Sequence, residues 1–230
     1  MPIVKTDAFV LKSFKFRDTS KIVTLFTKEL GKLSAIIKGV RKFNSGKCGV
    51  LETMNYINTV IYFKENRDLQ FISSAEYKTS YPEIIKDLDR IKTTYRILDI
   101  VNKTIPENEK HYELFDLMKS CLETLNNSIY NCMLTYIFFQ KELLIHLGIR
   151  PYNFEDSNEI ETFLRNIELN QQKLLKDFLY LSDLKETKGI EIDPLDALKI
   201  ADVLDRYILF NLHGVKKFDS RRIISELNQI

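Results

Sequence analysis

The sequence predicts an α+β chain, with a small five-stranded barrel over residues 1–80 and an all-α domain over residues 81–230. Near Ser80 the apolar spacing changes from a period of two to that of a helix. Five short apolar runs separated by polar breaks precede that change, and amphipathic stripes follow it. Charge divides in the same way. Residues 1–80 carry 14 basic against 7 acidic side chains, a net of +7, whereas residues 81–230 carry 20 against 25, a net of −5.

Phe9-Val10-Leu11 is a continuous apolar run, as a barrel strand covered on both faces requires. Arg17-Asp18-Thr19-Ser20 breaks the pattern before a second strand at Ile22–Thr27. Glu29-Leu30-Gly31-Lys32 reads as a tight turn. Leu33, Ala35 and Ile37 then share one face of a third strand, with Lys32, Ser34 and Lys38 on the other. Beyond a loop at Lys38–Gly49, strands are expected at Met54–Phe63 and Leu69–Ala75, joined by the turn Glu65-Asn66-Arg67-Asp68. Five short strands around a basic loop suit an OB-fold, and an SH3-like barrel would show the same pattern.

Pro82 suits a first helical position, and Ile84, Ile85, Leu88, Ile91, Tyr95 and Leu98 form one stripe. Leu114, Phe115, Met118, Cys121, Leu122 and Leu125 form another. The segment Ile129–Leu147 is apolar nearly all round and stops at Gly148, ahead of Arg150-Pro151. Gln140, Lys141 and Glu142 interrupt it, so it is a buried helix and not a membrane span. Asp156 with Glu159 caps a further helix, Asp193-Pro194 opens one running to about His213-Gly214, and Asp219-Ser220 starts a short last one.

The catalytic classes find little support. No phosphate-cradling glycine loop, nucleophile elbow or HExxH motif is present. Cys48, Cys121 and Cys132 form no CxxC pair and fit reduced thiols of a cytoplasmic protein better than a disulfide framework or a zinc site. His111, His146 and His213 lack acidic or thiol partners at ligand spacing; His146 and His213 fall in last helical turns, where an imidazole meets the final carbonyls favourably. No cofactor, metal or membrane partner is expected.

Binding signals are stronger. From Lys5 to Lys47 the chain places 11 basic side chains against Asp7, Asp18 and Glu29. Lys15 and Arg17 share one face of the first strand, opposite Phe14 and Phe16, and Phe14 is expected in the core. Lys38, Arg41, Lys42 and Lys47 then fall within ten residues of a loop kept open by Gly39, Asn44 and Gly46. Lys and Arg neutralise phosphates and release counterions, which gives affinity without sequence preference. Phe43 among these cations suits either base stacking or closure of the barrel end, the role open to Phe16 as well. Lys12, Lys21 and Lys32 complete the candidate nucleic-acid-binding set. Lys216, Lys217, Arg221 and Arg222 form a secondary candidate anion site at a helix entrance, where cations oppose the dipole.

Several stretches together resemble the RecO family of bacterial recombination mediators. They are Thr6-Asp-Ala-Phe-Val-Leu11, Phe16-Arg-Asp-Thr-Ser-Lys-Ile-Val-Thr-Leu-Phe-Thr27, Gly31-Lys-Leu-Ser34, Lys38-Gly-Val-Arg-Lys42 with Ser45, and Gly49-Val-Leu-Glu52. Leu147-Gly-Ile-Arg-Pro151 and Tyr207-Ile-Leu-Phe-Asn-Leu-His-Gly214, leading to Ser220-Arg-Arg222, extend it over nearly the whole chain. The resemblance implies an OB-fold followed by a helical domain, and a non-enzymatic protein that binds single- and double-stranded DNA and anneals complementary strands. It implies work with RecR, sometimes with RecF, to load RecA on DNA coated by single-stranded DNA-binding protein, whose acidic tail docks on the helical domain. Lys38, Gly39, Arg41 and Ser45 carry over as part of the DNA-facing surface.

The chain departs from that pattern twice. Many members hold four cysteines of a zinc finger after the Leu-Gly-x-x-Pro motif, yet residues 152–193 contain neither Cys nor His. Plain helices led by Phe163, Leu164, Leu174, Leu175, Phe178 and Leu179 are expected there instead. Asp18 and Ser20 stand where the family has Glu and Asp, and losing an acid beside Lys15 and Arg17 favours phosphate. An OB-fold protein adaptor, an RNA binder and, more remotely, a metal-dependent nuclease are the competing readings.

Overall fold

Strand β1 runs through fourteen residues, Ile3–Phe16, far beyond its central apolar run, because it pairs with two neighbours along its length. The structure, a computed structural model, describes residues 2–40, 49–127, 129–150, 163–212, 215 and 217–227. The first half of β1 pairs with β4 (Tyr56–Tyr62) and the second half with β2 (Ser20–Thr27). Next come β3 (Gly31–Ile37), antiparallel to β2, and β5 (Leu69–Thr79), which runs parallel to β3 and antiparallel to β4. The order β1-β2-β3-β5-β4 closes into a barrel, the five-stranded OB-fold expected from the pattern. Ala8, Val10, Val23, Leu25, Leu33, Ala35, Ile57, Ile61 and Ile72 fill its interior, and Ile37, Val40, Val50 and Leu51 join the same cluster.

One residue alters what β1 presents. The β1–β2 register slips between Val10 and Lys12, leaving Leu11 as the extra residue of a β-bulge. Before it, Ala8 and Val10 face inward; after it, Ser13 lies opposite core Val23, and Phe14 lies opposite Ile22 on the outer surface. Phe14 is therefore not a core residue as expected. Its side chain is 56% exposed, because the bulge inverts the inward parity of everything beyond it.

Residues up to Tyr81 form one compact unit together with Leu98–Asp116, and Pro82–Ile97 with the chain from Leu117 onward form the other. The change of period at residue 80 separates strand from helix, but packing assigns 98–116 to the barrel. Phe115 lies 5.1 Å from Phe9 and 5.5 Å from Phe26, and Phe9 stacks on Tyr56 at 4.5 Å. The Asn108 amide donates to the Lys32 carbonyl at 2.8 Å. Gly31, at φ +72°, admits no side chain, since a Cβ would lie 1.9 Å from the Glu109 carbonyl oxygen.

The apolar stripe from Ile84 divides into α1 (Pro82–Ile85) and α2 (Leu88–Thr104), because Asp87 accepts from the Arg90 amide and starts a new helix. The second stripe is α3 (Tyr112–Leu125). The most apolar helix, α4 (Cys132–His146), begins later than Ile129 because Asn131 caps it through the amides of Met133 and Leu134. Gly148, at φ +69°, ends it as expected, with the Ile149 amide returning to the Leu144 carbonyl. Helix α5 (Leu169–Leu179) buries Leu175, Phe178 and Leu179. A 3₁₀ turn at Leu184–Thr187 leads to α6 (Pro194–Asn211), capped by Asp193, and then α7 (Ser220–Leu227). The expected cap at Asp156 and Glu159 lies outside the described residues. Helices α4 and α6 pack closely, and two polar residues of α4 mark the contact: Tyr136 and Gln140 donate to Asp205 at 2.6 and 2.8 Å.

Candidate nucleic-acid interface

Strand register gathers part of the candidate set at one rim of the barrel. Lys15 on β1 lies opposite Lys21 on β2, which lies opposite Ile37 on β3, so Arg17 and Lys38 follow at the same end. Arg17 begins the β1–β2 turn in the left-handed region, at φ +51°, and its guanidinium sits 5.3 Å from the centre of the half-buried Phe16 ring. Lys38 follows β3, with its ammonium 5.9 Å from the Phe71 ring centre, and Gly39 turns the chain at φ +74°. Lys15, Arg17 and Lys38 are all exposed. Arg41, Lys42, Phe43, Ser45 and Lys47 of the adjoining loop lie outside the described residues, as do Cys48, His213 and Lys216.

Three other candidates sit differently. Lys12 is half-buried on the outer face opposite Thr24, below that rim. Lys21 is 2% exposed, points toward the barrel axis and pairs with the Glu52 carboxylate. Lys32 is the second residue of β3, about 17 Å from its far end at ~3.3 Å per residue. It is buried, donates to the Asn102 carbonyl at 2.6 Å, and burial lowers its pKa. Lys21 and Lys32 are thus corrected from candidate phosphate contacts to internal charges. Inward parity at a barrel end explains the first, and cover by residues 98–116 the second.

The C-terminal cluster is likewise dispersed in role. Arg221 donates to Asp202 at 3.2 Å and lies 3.7 Å from Asp205, so acids answer its charge. Arg222 stands 3.8 Å from Glu226 and is largely exposed, and Lys217 is exposed. Together with Arg96, 3.7 Å from Asp205, these contacts surround a buried carboxyl. Burial pushes Asp205 up to about 6 against the hydrogen bond from Tyr136 and the charges of Arg96 and Arg221. The sequence reading missed this centre. Its signal was present in Gln140, which with Lys141 and Glu142 interrupts a mostly apolar helix.

His146 ends α4, and His111 is half-buried 3.7 Å from Glu109. Burial raises the thiol pKa of Cys121, and that of Cys132 to about 11, so neither is a thiolate near neutrality. Among the described residues no cluster of His, Cys, Asp or Glu is arranged to hold a metal, and no helix is long and apolar enough to cross a membrane. The helical unit contains a cavity of about 480 Å³ lined by Asp89, Arg90, Lys92, Met133, Leu198 and Ile224, among others.

Two family models match the chain: Recombination protein O N terminal over residues 1–81 and Recombination protein O C terminal over residues 85–221. A DNA repair protein RecO of Chlorobium limicola is 40% identical over 149 residues, and that of Pelodictyon phaeoclathratiforme 36% identical over 149. In both, the match covers 65% of this chain but 57% of the relative, so the chain spans just over half the length of these relatives. The DNA repair protein RecO of Chloroherpeton thalassium is 26% identical over 262 residues, covering 98% of this chain and 99% of the relative.

Proposed function

The chain belongs to the RecO family, and on that premise we propose that it is a non-enzymatic DNA-binding mediator of recombinational repair. It holds DNA strands through phosphate contacts, anneals complementary strands and, with RecR, helps load RecA on DNA coated by single-stranded DNA-binding protein. The observation that carries this reading is the grouping of exposed Lys15, Arg17 and Lys38 on one rim of an OB-fold barrel. Annealing requires only a surface that neutralises backbones and leaves base edges free, and sequence information stays in the DNA. Arg41, Lys42, Phe43, Ser45 and Lys47 are proposed to extend that surface.

In the helical unit, the cavity beside Arg90 and Lys92 is the proposed dock for the acidic tail of single-stranded DNA-binding protein. Cations there adjoin apolar Met133, Leu198 and Ile224, and the Arg90 Nη1 is buried without a hydrogen-bond partner among the described residues. Asp87 and Asp89 temper that charge, and Lys92 lies 3.5 Å from Asp89.

Fluorescence anisotropy with a single-stranded oligonucleotide across a salt series tests the core of the proposal. Affinity is expected to fall steeply with salt. Replacing Lys15, Arg17 and Lys38 together by Ala is expected to weaken binding and to flatten the log–log slope by about 2, at ~0.7 for each phosphate left unneutralised. Absence of binding at low salt would defeat the reading and favour the protein adaptor. A marked preference for RNA of the same sequence would favour the RNA binder.

A further inference from the structure

An apolar row winds around the outside of the barrel in strict register. Phe14 lies opposite Ile22, Ile22 opposite Ile36, Ile36 opposite Phe71, Phe71 opposite Tyr62, and Tyr62 opposite Ile3. Ile22, Ile36, Tyr62 and Phe71 point away from the core, since their chain neighbours Val23, Ala35, Ile37, Ile61 and Ile72 point into it. Phe14 and Ile3, directly opposite Ile22 and Tyr62, share that outer face. Phe14 is 56% and Ile3 63% exposed, and Ile22, Ile36, Phe71 and Tyr62 are half-buried against one another. From Phe14 to Tyr62 the row crosses four strand spacings, about 19 Å. Isolated outward apolar residues need no explanation, but a contiguous set does.

The surroundings of the row indicate its occupant. Arg17 sits over the ring of Phe16, two residues beyond Phe14 on the same face of β1, and Lys38 stands over Phe71. Lys15, opposite Lys21, instead takes the inward parity at the barrel end. Asp18 is the nearby acid of the β1–β2 turn, and the β4–β5 loop beside Tyr62 balances Lys64 and Arg67 against Glu65 and Asp68. Rings and isoleucines edged by cations complement a ligand with flat apolar faces and a regularly charged backbone. An unpaired nucleic-acid strand has both features. A duplex has only the second, because its base faces are hidden in the stack. Phosphate contacts alone hold both forms, whereas aromatic rings reward only the form whose bases are open.

We infer that this row, and Phe14, Phe71 and Tyr62 above all, is the element by which the barrel distinguishes unpaired from paired strands. The inference rests on the nucleic-acid reading above and adds the strand class that the rim cations do not select. Stacking on a ring engages the face of a base and leaves its pairing edge open, so a strand held on the row remains competent to anneal.

The full-length chain with Phe14→Ala and Phe71→Ala together tests it, with a dye-labelled oligothymidine and a blunt duplex as probes. The variant is expected to bind the single strand roughly tenfold or more weakly, with duplex affinity and both salt slopes unchanged. Equal loss on both probes, or no loss on the single strand, would overturn the inference. A second variant avoids the half-buried ring. The chain contains no Trp, so Phe14→Trp reports from an exposed position. Its fluorescence is expected to be quenched by oligothymidine and not by duplex, and quenching by both or by neither would overturn the assignment. If the unaltered protein binds neither probe at low salt, the nucleic-acid reading itself fails. Unaltered binding combined with an indifferent Phe14/Phe71 variant sinks only the role of the row.

Discussion

The outside of the barrel carries two aromatic patches with opposite fates. Phe9, Phe26 and Tyr56 lie under Phe115 and are almost wholly buried, with ring centres 4.5 to 6.2 Å apart. Phe14, Phe71 and Tyr62 belong to an outer row with no such ring laid across it among the described residues, and Phe14 is more than half exposed. The cations follow the rings. Lys32 lies where residues 98–116 cover the barrel, and its ammonium is held by the Asn102 carbonyl, while Lys15 and Lys38 stand exposed at the open rim. An aromatic or basic side chain on a barrel surface thus acquires its role from whether another part of the chain covers it.

Removing one ring from each patch puts this contrast under the greatest strain. Phe115→Ala is expected to cost about 3–5 kcal/mol, as for a buried ring leaving a cavity. Phe14→Ala should stay within about 0.5 kcal/mol, as for an exposed site. Urea denaturation of both variants checks this, and comparable losses would erase the distinction.

A somewhat smaller effect extends the contrast to the helical unit, where the chain covers a carboxyl instead of a ring. Asp205 titrates at about 6 in the folded protein, above its ordinary 3.8. The folded state therefore binds this proton more tightly than the unfolded chain. The contribution is complete below about pH 4 and is lost as pH rises through 6, amounting to roughly 3 kcal/mol. Urea midpoints of the unaltered protein should fall across that window relative to those of Asp205→Asn, whose amide does not titrate. Parallel pH profiles would show that the carboxyl is not held this way.

The mildest pair of substitutions separates the two kinds of lysine. Lys32→Ala should cost about 1 kcal/mol by stranding a buried carbonyl, and leave the salt dependence of DNA binding unchanged. Lys15→Ala should leave stability unchanged and reduce the salt slope by about 0.7, as for one phosphate left unneutralised. Thermal melts read beside anisotropy titrations distinguish the pair, and the reverse pattern would place the interface at the covered end.

Much of this was legible in the chain. Five strand runs, the caps at Asp193 and Gly148 and the charge asymmetry all depend on neighbours a few residues away, and each appears near its expected place. The candidate site was legible only in part. Lys15, Arg17 and Lys38 share a rim because β1, β2 and β3 are consecutive and antiparallel, which the turns already implied. Lys21 and Lys32 look the same in sequence, but inward parity buries one and residues 98–116 cover the other. Asp87 divides one apolar stripe into two helices and Asn131 delays α4, both through side-chain caps that hydrophobic spacing does not register.

The types and order of the elements, the concentration of positive charge in the barrel, and the lack of Cys and His across residues 152–193 are all written in the sequence. They follow from local periodicity, capping chemistry and composition. That Phe14 faces outward, that the outer row from Phe14 to Ile3 is continuous, and that residues 98–116 pack onto the barrel emerge only when the strands pair and the helices pack. The reason is register. A single extra residue at Leu11 inverts the face of every later side chain on β1, and only the pairing of β1 with β2 reveals it.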